Sequence, residues 1–379
     1  MPSWGLVLAG GGAKGAYHLG VWQALRDLDI DVGCIAGTSI GSINGALFCQ
    51  GAFDEALALW EDISIDKIVD MTDLDIDSNN LFEIKNIRAL LSEFHKHSGL
   101  TMQPLNELLL EIVDEEKIRR SPVEYGLVTC SVPNLAAVEL FKEQIPPGEL
   151  VDYMMASACL PGFRTKKINN QAFVDGGVAN NMPLDMPIQK GFDNIIAVDV
   201  GGIGVVRSVD TTAKNIIHIR CKDNMIGTME FEQKSIQKII KKGYYDTFRA
   251  MGRLAGQRYY FNIGDYCRAR ARYSPEILNG IERAAEIFGI DPIKVYKVDD
   301  LIAGVLRGYE ANIEKQKDSE NFFENLMKLK IVDKTAVARL ARIIKSKNLD
   351  FMANRIIMGL LGANFWAANA IAYFLESEQ

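Results

Sequence analysis

A serine between two glycines is the residue of this sequence with the clearest chemical potential. It is Ser39, in the stretch GTSIG at residues 37–41. The apolar run VGCIAG precedes this G-x-S-x-G pattern, and a run of helical character, residues 41–50, follows it. This context is typical of a strained strand-to-helix turn that exposes a nucleophilic hydroxyl. The pattern predicts a nucleophile at Ser39, with an ordinary glycine-rich turn as the alternative.

A second glycine-rich stretch, GLVLAGGGAKGAYHLG, covers residues 5–20. Gly10, Gly12 and Gly15 fit the G-x-G-x-x-G pattern of dinucleotide-binding enzymes, in which an acid about 20 residues later binds the ribose. Asp29 and Asp31 have roughly this spacing, but they precede the second apolar strand, whereas a ribose-binding acid ends it. A dinucleotide-binding oxidoreductase is therefore one hypothesis. The other is a loop whose backbone N–H groups stabilise a negative oxygen.

A serine nucleophile needs a base, and the chain has four histidines. His95 and His97 lie in the polar stretch EFHKHSG, and His18 is expected to be a partly exposed residue of the first helix. His218 would complete a triad in the chain order of the α/β-hydrolases, after Ser39 and Asp175. It lies, however, in the strand-like run NIIHIRC, whereas a triad histidine is usually presented by a loop.

Asp175 is the better candidate for the base. It follows an apolar run in FVDGGVANNMP, and the two glycines after it permit a sharp turn. An ordinary Asp-Gly turn is the alternative.

Strand-like and helix-like runs alternate in the first part of the chain, which predicts an α/β domain with a largely buried sheet. GLVLAG, VGCIAG, YGLVTCSV, AAVELF and IIAVDV are strand-like, and residues 16–28 and 41–50 are helix-like. Residues 52–116 have a mostly helical pattern with an acidic break at DLDIDSNN. From about Thr228 the pattern is almost entirely helical, and we place a domain boundary at residues 252–257.

Five stretches resemble, in chain order, the motifs of the patatin-like phospholipases. They are GGGAKG as the oxyanion loop, GTSIG as the nucleophile elbow, ASACLPGF, DGG with the dyad aspartate, and NNMP. The resemblance covers about residues 1–250. It implies a three-layer αβα domain with a mainly parallel central sheet in residues 1–252. An all-helical C-terminal extension in residues 253–379 would follow.

The resemblance also implies a Ser–Asp dyad without histidine. Ser39 would attack an ester carbonyl, and Asp175 would be the general base. The backbone N–H groups of Gly10, Gly11 and Gly12 would form the oxyanion hole. The supporting residues of these motifs are Lys14, Gly15, Gly37, Gly41, Gly176 and Gly177. Lys14 would orient the loop or meet a lipid phosphate, unless it is a plain surface lysine. No metal or cofactor is implied.

The implied substrate is a lipid, foremost a phospholipid whose fatty acyl ester is hydrolysed to a free fatty acid. The same acyl-enzyme would also serve a transacylase, or an esterase of water-soluble substrates with a more polar pocket. A regulated scaffold protein, whose helical tail recruits partners, is an alternative of another class.

Net charge and cysteine pattern limit the binding partners and the cellular compartment that we expect for this protein. The net charge of −7 predicts no general attraction to nucleic acid or to an anionic membrane. The six cysteines are scattered without a C-x-x-C pair, which predicts reduced thiols rather than a zinc site or a disulfide framework. The sequence enters a strand almost at once and shows no signal-peptide pattern, so we expect a cytoplasmic protein.

The C-terminal segment, residues 356–374, contains no Asp, Glu, Lys or Arg. Its length is close to the ~20 residues of a bilayer span. Several basic residues precede it: Lys334, Arg339, Arg342, Lys345 and Lys347. Three interpretations are open: a helix buried in the core or in a homo-oligomer contact, a helix docked peripherally on a membrane, and a true span. Asparagines and glycines within the segment favour the first.

Overall fold

The structure is a computed structural model, and it describes residues 3–70, 100–132, 134–221, 227–314, 333–347 and 362–377. The chain divides into two compact units, Met1–Ala250 and Met251–Gln379. Each unit is described by itself below.

An eight-stranded sheet forms the framework of the first unit. Its strands are β1 (Trp4–Leu8), β2 (Val32–Thr38), β3 (Glu124–Val132), β4 (Ala136–Phe141), β5 (Lys166–Ile168), β6 (Gln171–Asp175), β7 (Asn194–Asp199) and β8 (Asn215–Arg220). They follow the order β5-β6-β3-β2-β1-β7-β8, and β4 also pairs with β3. The ladder from β3 through β2, β1 and β7 to β8 is parallel, whereas the pairs of β4, β5 and β6 are antiparallel. The prediction of a mainly parallel central sheet is confirmed.

Helices flank this sheet. They are α1 (Ala16–Asp27), α2 (Ile40–Cys49), α3 (Phe53–Asp62), α4 (Gln103–Ile112), α5 (Glu115–Arg120), α6 (Leu150–Ser157), α7 (Asp185–Gln189) and α8 (Gln233–Ala250). Short 3₁₀ turns lie at Gly12–Gly15, Ile65–Lys67 and Gly176–Val178. Residues 6–8 of β1 are fully buried, as expected of a central parallel strand covered by helices. The predicted acidic break at residues 73–80 lies outside the described residues.

Strand β3 brings the ends of two other strands together. β4 pairs with one edge of β3 over Gly126–Ser131, so β2 and β6 share its other edge. β2 ends with Thr38 opposite Val128, and β6 ends with Asp175 opposite the next residue, Thr129. The turn that follows Thr38 therefore lies beside Asp175, although the two are far apart in sequence.

The second unit is mainly helical, with its own apolar core. Its helices are α9 (Ile263–Arg272), α10 (Pro275–Phe288), α11 (Val298–Glu314), α12 (Lys334–Lys347) and α13 (Ala363–Ser377). A three-stranded sheet joins β9 (Leu254–Ala255), β10 (Tyr260–Asn262) and β11 (Val295–Tyr296). The expected helical region is present, but the expectation that it is all-helical is corrected by this sheet. Strands of two or three residues are too short to show an alternating pattern.

The last helix, α13, is part of that core. Phe365, Ile371 and Phe374 are buried in it. The described part of the C-terminal segment thus agrees with the interpretation of a buried helix, while residues 356–361 lie outside the description. Among the residues described, no helix combines the length and the apolar character needed to cross a membrane.

Candidate active site

Ser39 lies at the sharp turn between β2 and α2. Its backbone has φ 55° and ψ −128°, a conformation that costs a non-glycine residue about 1–3 kcal/mol. Close packing of two glycines permits the turn. A Cβ on Gly37 would lie 2.2 Å from the carbonyl oxygen of Gly41, and a Cβ on Gly41 would lie 2.1 Å from that of Leu8. The strained strand-to-helix turn predicted from GTSIG is therefore present.

The Ser39 hydroxyl donates a hydrogen bond to Asp175. The distance from Oγ to Oδ2 is 2.6 Å, and the second carboxylate oxygen, Oδ1, accepts the N–H of Gly177 at 2.7 Å. Ser39 is only 5% exposed and Asp175 only 3% exposed. Burial raises the pKa of Asp175 to about 6, while the hydrogen bonds from Ser39 and Gly177 lower it. A carboxylate with this pKa, in contact with a hydroxyl, is suited to general base catalysis.

Ser157, the last residue of α6, holds Ser39 from a different direction. Its Oγ accepts the backbone N–H of Ser39 at 2.9 Å and donates to the carbonyl of Val128 at 2.6 Å. Ser157 is completely buried. It therefore fixes the strained backbone to β3. Ser157 lies in the stretch ASACLPGF, but its role was not predicted from the sequence, because its partners are two backbone groups from other elements.

The first glycine-rich loop is anchored by an asparagine. The N–H of Gly10 donates to Oδ1 of Asn181 at 3.1 Å, and Nδ2 of Asn181 donates back to the carbonyl of Gly10 at 3.4 Å. The Gly10 N–H is thus already engaged by a side chain, which differs from the expectation that it is free to bind a negative oxygen. Within the described part of the chain, the N–H groups of Gly11 and Gly12 make no hydrogen bond. Gly12, with φ 58°, lies in the wall of the cavity that contains Ser39.

Asn180 supports the other side of the same turn. Its carbonyl accepts the Thr38 hydroxyl at 2.9 Å, and its Nδ2 donates to Glu139 at 2.9 Å. The pair Asn180–Asn181 thus fixes both the residue before Ser39 and the first glycine loop. The motif NNMP marked this stretch in the sequence, but neither role was predicted.

The remaining motif residues occupy structural positions. Lys14 donates from Nζ to the carbonyl of Gly201 at 3.0 Å, which orients the loop. A Cβ on Gly15 would lie 2.4 Å from Ile40, and one on Gly176 would lie 2.1 Å from the carbonyl of Val128. These glycines let the first loop and the DGG turn pack directly against the elements that carry Ser39.

Neither of the two described histidines, His18 and His218, forms a triad with Ser39 and Asp175. His218 is exposed on β8, at the sheet edge opposite to β6. β8 lies three strand positions from β2 in the sheet order, about 14 Å at the usual strand spacing. The triad hypothesis is therefore wrong. His95 and His97 lie outside the described residues.

His18 differs from the expectation of a partly exposed residue, because it is completely buried. Its Nδ1 lies 3.2 Å from Nδ2 of Asn44, and Nδ2 is a donor, so Nδ1 accepts. Burial lowers the pKa of His18 to about 3. Asn44 also donates to the carbonyl of Gly15 at 2.9 Å and accepts from Trp60 at 3.0 Å. The neutral histidine is thus part of a polar network beneath the glycine loop.

Ser39 borders a cavity that is open to solvent. Apart from Ser39 and Asn44, its walls are apolar, and its aromatic and aliphatic residues include Leu59, Trp60, Leu105, Leu109, Phe163 and Phe231. A cavity with such apolar walls suits a hydrocarbon group.

Comparison with protein families gives the site its context. Residues 6–188 match the family model described as Patatin-like phospholipase. This region of the first unit resembles a patatin-like phospholipase domain. The match includes both Ser39 and Asp175.

The positions of Asp29 and Asp31 oppose the dinucleotide-binding hypothesis. Both residues precede β2, whereas a ribose-binding acid would lie at the end of that strand, where Ser39 follows instead.

Curated relatives share this region of the patatin-like domain. The chain is 32% identical over 207 residues to the patatin-like phospholipase domain-containing protein ZK370.4 of Caenorhabditis elegans, covering 52% of this chain and 14% of that protein. It is 31% identical over 202 residues to the lysophospholipase NTE1 of Candida glabrata, covering 52% of this chain and 10% of that protein. VipD from Legionella pneumophila aligns over 100% of this chain and 87% of its own, at 12% identity and a TM-score of 0.44.

Proposed function

We propose that this protein is a serine hydrolase that cleaves carboxylic esters of lipids, foremost fatty acyl esters of phospholipids. The observation that carries the proposal is the 2.6 Å hydrogen bond from the Ser39 hydroxyl to the buried carboxylate of Asp175. The patatin-like domain supports the same class of reaction.

In the proposed reaction, ionised Asp175 takes the proton of the Ser39 hydroxyl as its oxygen attacks the ester carbonyl. The protonated aspartate then gives this proton to the leaving alcohol, and the acyl group stays on Ser39. Water attacks the acyl-enzyme in the second half, with Asp175 again as base. The free fatty acid leaves, and the hydroxyl of Ser39 is restored.

The negative oxygen of each tetrahedral intermediate needs donors. We assign this role to the N–H groups of Gly11 and Gly12, since Gly10 is bound to Asn181. Removal of one such donor typically costs roughly 3 kcal/mol of transition-state stabilisation. The anchor from Asn181 holds the loop in place before the substrate arrives.

The choice of a lipid over a water-soluble ester rests on the cavity. Its walls offer few polar groups other than Ser39 and Asn44, and Asn44 already bonds to Gly15, His18 and Trp60. A polar acyl group would therefore lose its hydration without finding partners. The same acyl-enzyme would also permit transfer to another alcohol, so product analysis includes a search for transacylation.

The test compares the wild type with Ser39→Ala and Asp175→Ala on a short-chain p-nitrophenyl ester and on phospholipid vesicles. Ser131→Ala is a matched control, because Ser131 is also a buried serine but bonds to the carbonyl of Ala136. Each protein is first checked for folding by circular dichroism. We expect the control to stay active and both dyad variants to lose activity. A fluorophosphonate should label Ser39 in the wild type, with loss of fluoride, and a label on another residue would refute the assignment.

A further inference from the structure

A short loop after β7 exposes aliphatic side chains. Ile203 is 98% exposed, Val206 is 61% exposed and Val205 is 51% exposed. They follow Gly201 and Gly202 in the stretch GGIGVV. Single exposed aliphatic residues are ordinary on protein surfaces, but three within four positions form an apolar tip that water solvates poorly.

The base of this loop is fixed to the candidate active site. A Cβ on Gly202 would lie 2.0 Å from the carbonyl oxygen of Gly10, so the two backbones are in direct contact. The N–H of Val205 donates to the carbonyl of Gly177 at 2.8 Å, and its carbonyl accepts the N–H of Asn181 at 2.6 Å. The loop thus contacts the glycine loop, the turn that orients Asp175 and the asparagine anchor.

We infer that residues 203–206 are a docking element that inserts into the surface of a lipid bilayer. This inference rests on the proposed function and adds that the substrate is taken from a lipid aggregate. Insertion of Ile203 and Val206 would bring the lipid surface to the loop that contacts Gly10 and Gly177. The apolar tip provides the side chains that insert into the lipid. Because the base of the loop is already fixed by hydrogen bonds, insertion does not have to order the loop and does not incur that free-energy cost.

Size and charge favour a lipid surface over a protein partner. Three aliphatic side chains offer on the order of 300 Å² of apolar area, whereas a stable protein interface buries about 800 Å² on each side. Two of the described cations near the loop are paired with carboxylates: Arg207 lies 3.4 Å from Glu139, and Arg220 lies 2.8 Å from Asp199. The Lys14 ammonium is held by the carbonyl of Gly201. Docking should therefore be apolar, so a zwitterionic bilayer suffices and salt has little effect.

The experiment measures binding to phosphatidylcholine vesicles by sedimentation. All proteins carry Ser39→Ala, so that the vesicles are not consumed. Ile203→Ser combined with Val206→Ser tests the loop, and Leu110→Ser is the matched control, because Leu110 is 64% exposed on α4. We expect the double substitution to weaken partitioning at least tenfold, since moving one aliphatic side chain out of water corresponds to about a factor of ten. The control should bind like its parent.

A second measurement separates docking from chemistry. With Ser39 intact, the double variant should hydrolyse the short-chain soluble ester at the wild-type rate but lose at least tenfold on vesicles. Unchanged vesicle binding by the double variant would overturn the inference, whatever the soluble assay shows. The inference would also be overturned if light scattering detected a dimer of the wild type and the substitutions dissociated it without changing vesicle binding. The loop would then be a contact between two copies of the chain. Loss of ester hydrolysis on Ser39→Ala tests the proposed function independently of either result.

Discussion

Replacing Asp175 by asparagine should abolish activity and at the same time stabilise the fold. Asparagine has nearly the same shape, and its Oδ1 can still accept the N–H of Gly177. Its amide group can donate to the Ser39 hydroxyl, so the side chain keeps both contacts. What disappears is the buried negative charge and, with it, the proposed general base, and such a base typically contributes a 10²–10⁴-fold rate effect.

The size of the stabilisation follows from the pKa of Asp175. Burial raises this pKa from 3.8 to about 6, so the folded protein disfavours the ionised carboxylate. Relative to the ionised form, the protonated side chain of Asp175 favours folding. This contribution to the free energy of unfolding is complete below pH 3.8 and is lost as the pH rises through about 6. Above that pH the ionised form costs the folded state about 3 kcal/mol. We therefore expect Asp175→Asn to raise the free energy of unfolding by up to about 3 kcal/mol near pH 8, and by little near pH 4.

Urea unfolding of the wild type and of Asp175→Asn at several pH values measures this difference. Asp54→Asn is the control, because Asp54 is exposed on α3. Because the two proteins are compared with each other at each pH, the contributions of the titrating groups that they share cancel. Lower stability of Asp175→Asn than of the wild type near pH 8, or a gain in stability that does not depend on pH, would contradict a raised pKa at Asp175.

Three further predictions concern residues around the dyad. Ser157→Ala frees the backbone N–H of Ser39 and should lower kcat about tenfold with little change in KM, which steady-state kinetics against Ser131→Ala will check. Asn181→Ala removes the anchor of Gly10 and should lower kcat on the order of 100-fold, whereas Asn181→Asp, which keeps an acceptor for that N–H, should retain more activity. His18→Gln should reduce the loss of unfolding free energy that the wild type shows as the pH falls from about 6.5, which urea unfolding at several pH values will check. The buried His18 has a pKa lowered to about 3, so its contribution is present above its ordinary pKa and lost as the pH falls toward 3, by about 1.4 kcal/mol per pH unit.

Most of the first unit was predictable from sequence because its elements have strong local signals. The apolar runs of β1 and β2 and the glycines around Ser39 define strand, turn and helix without tertiary information. The short strands β9–β11 were missed, since two or three residues carry no periodicity. The pairing of β2 and β6 along one edge of β3 was also out of reach, because register depends on contacts between distant segments.

The residues that support Ser39 and Gly10 were less predictable than the proposed dyad. Ser157 and Asn181 act through backbone groups of residues that are distant in sequence, so neither has a local pattern that reveals its partner. The motif alone also placed Gly10 among the oxyanion donors. Only the structure shows that a side chain already occupies its N–H.

Asp175 and His18 show why residue type alone was an incomplete guide to the proposed base. A serine nucleophile suggested a search for histidine, whose ordinary pKa of about 6.5 is suited to proton transfer at neutral pH. In this fold burial raises the pKa of Asp175 to about 6 and lowers that of His18 to about 3. Burial disfavours whichever form is charged, so it makes the carboxylate more basic and the imidazole less basic. Asp175 thereby reaches the basicity usually expected of histidine, while His18 stays neutral throughout the range in which Asp175 titrates. In the proposed reaction a carboxylate can therefore take the role of base, because Asp175 is buried beside Ser39 with only two hydrogen bonds opposing the rise of its pKa.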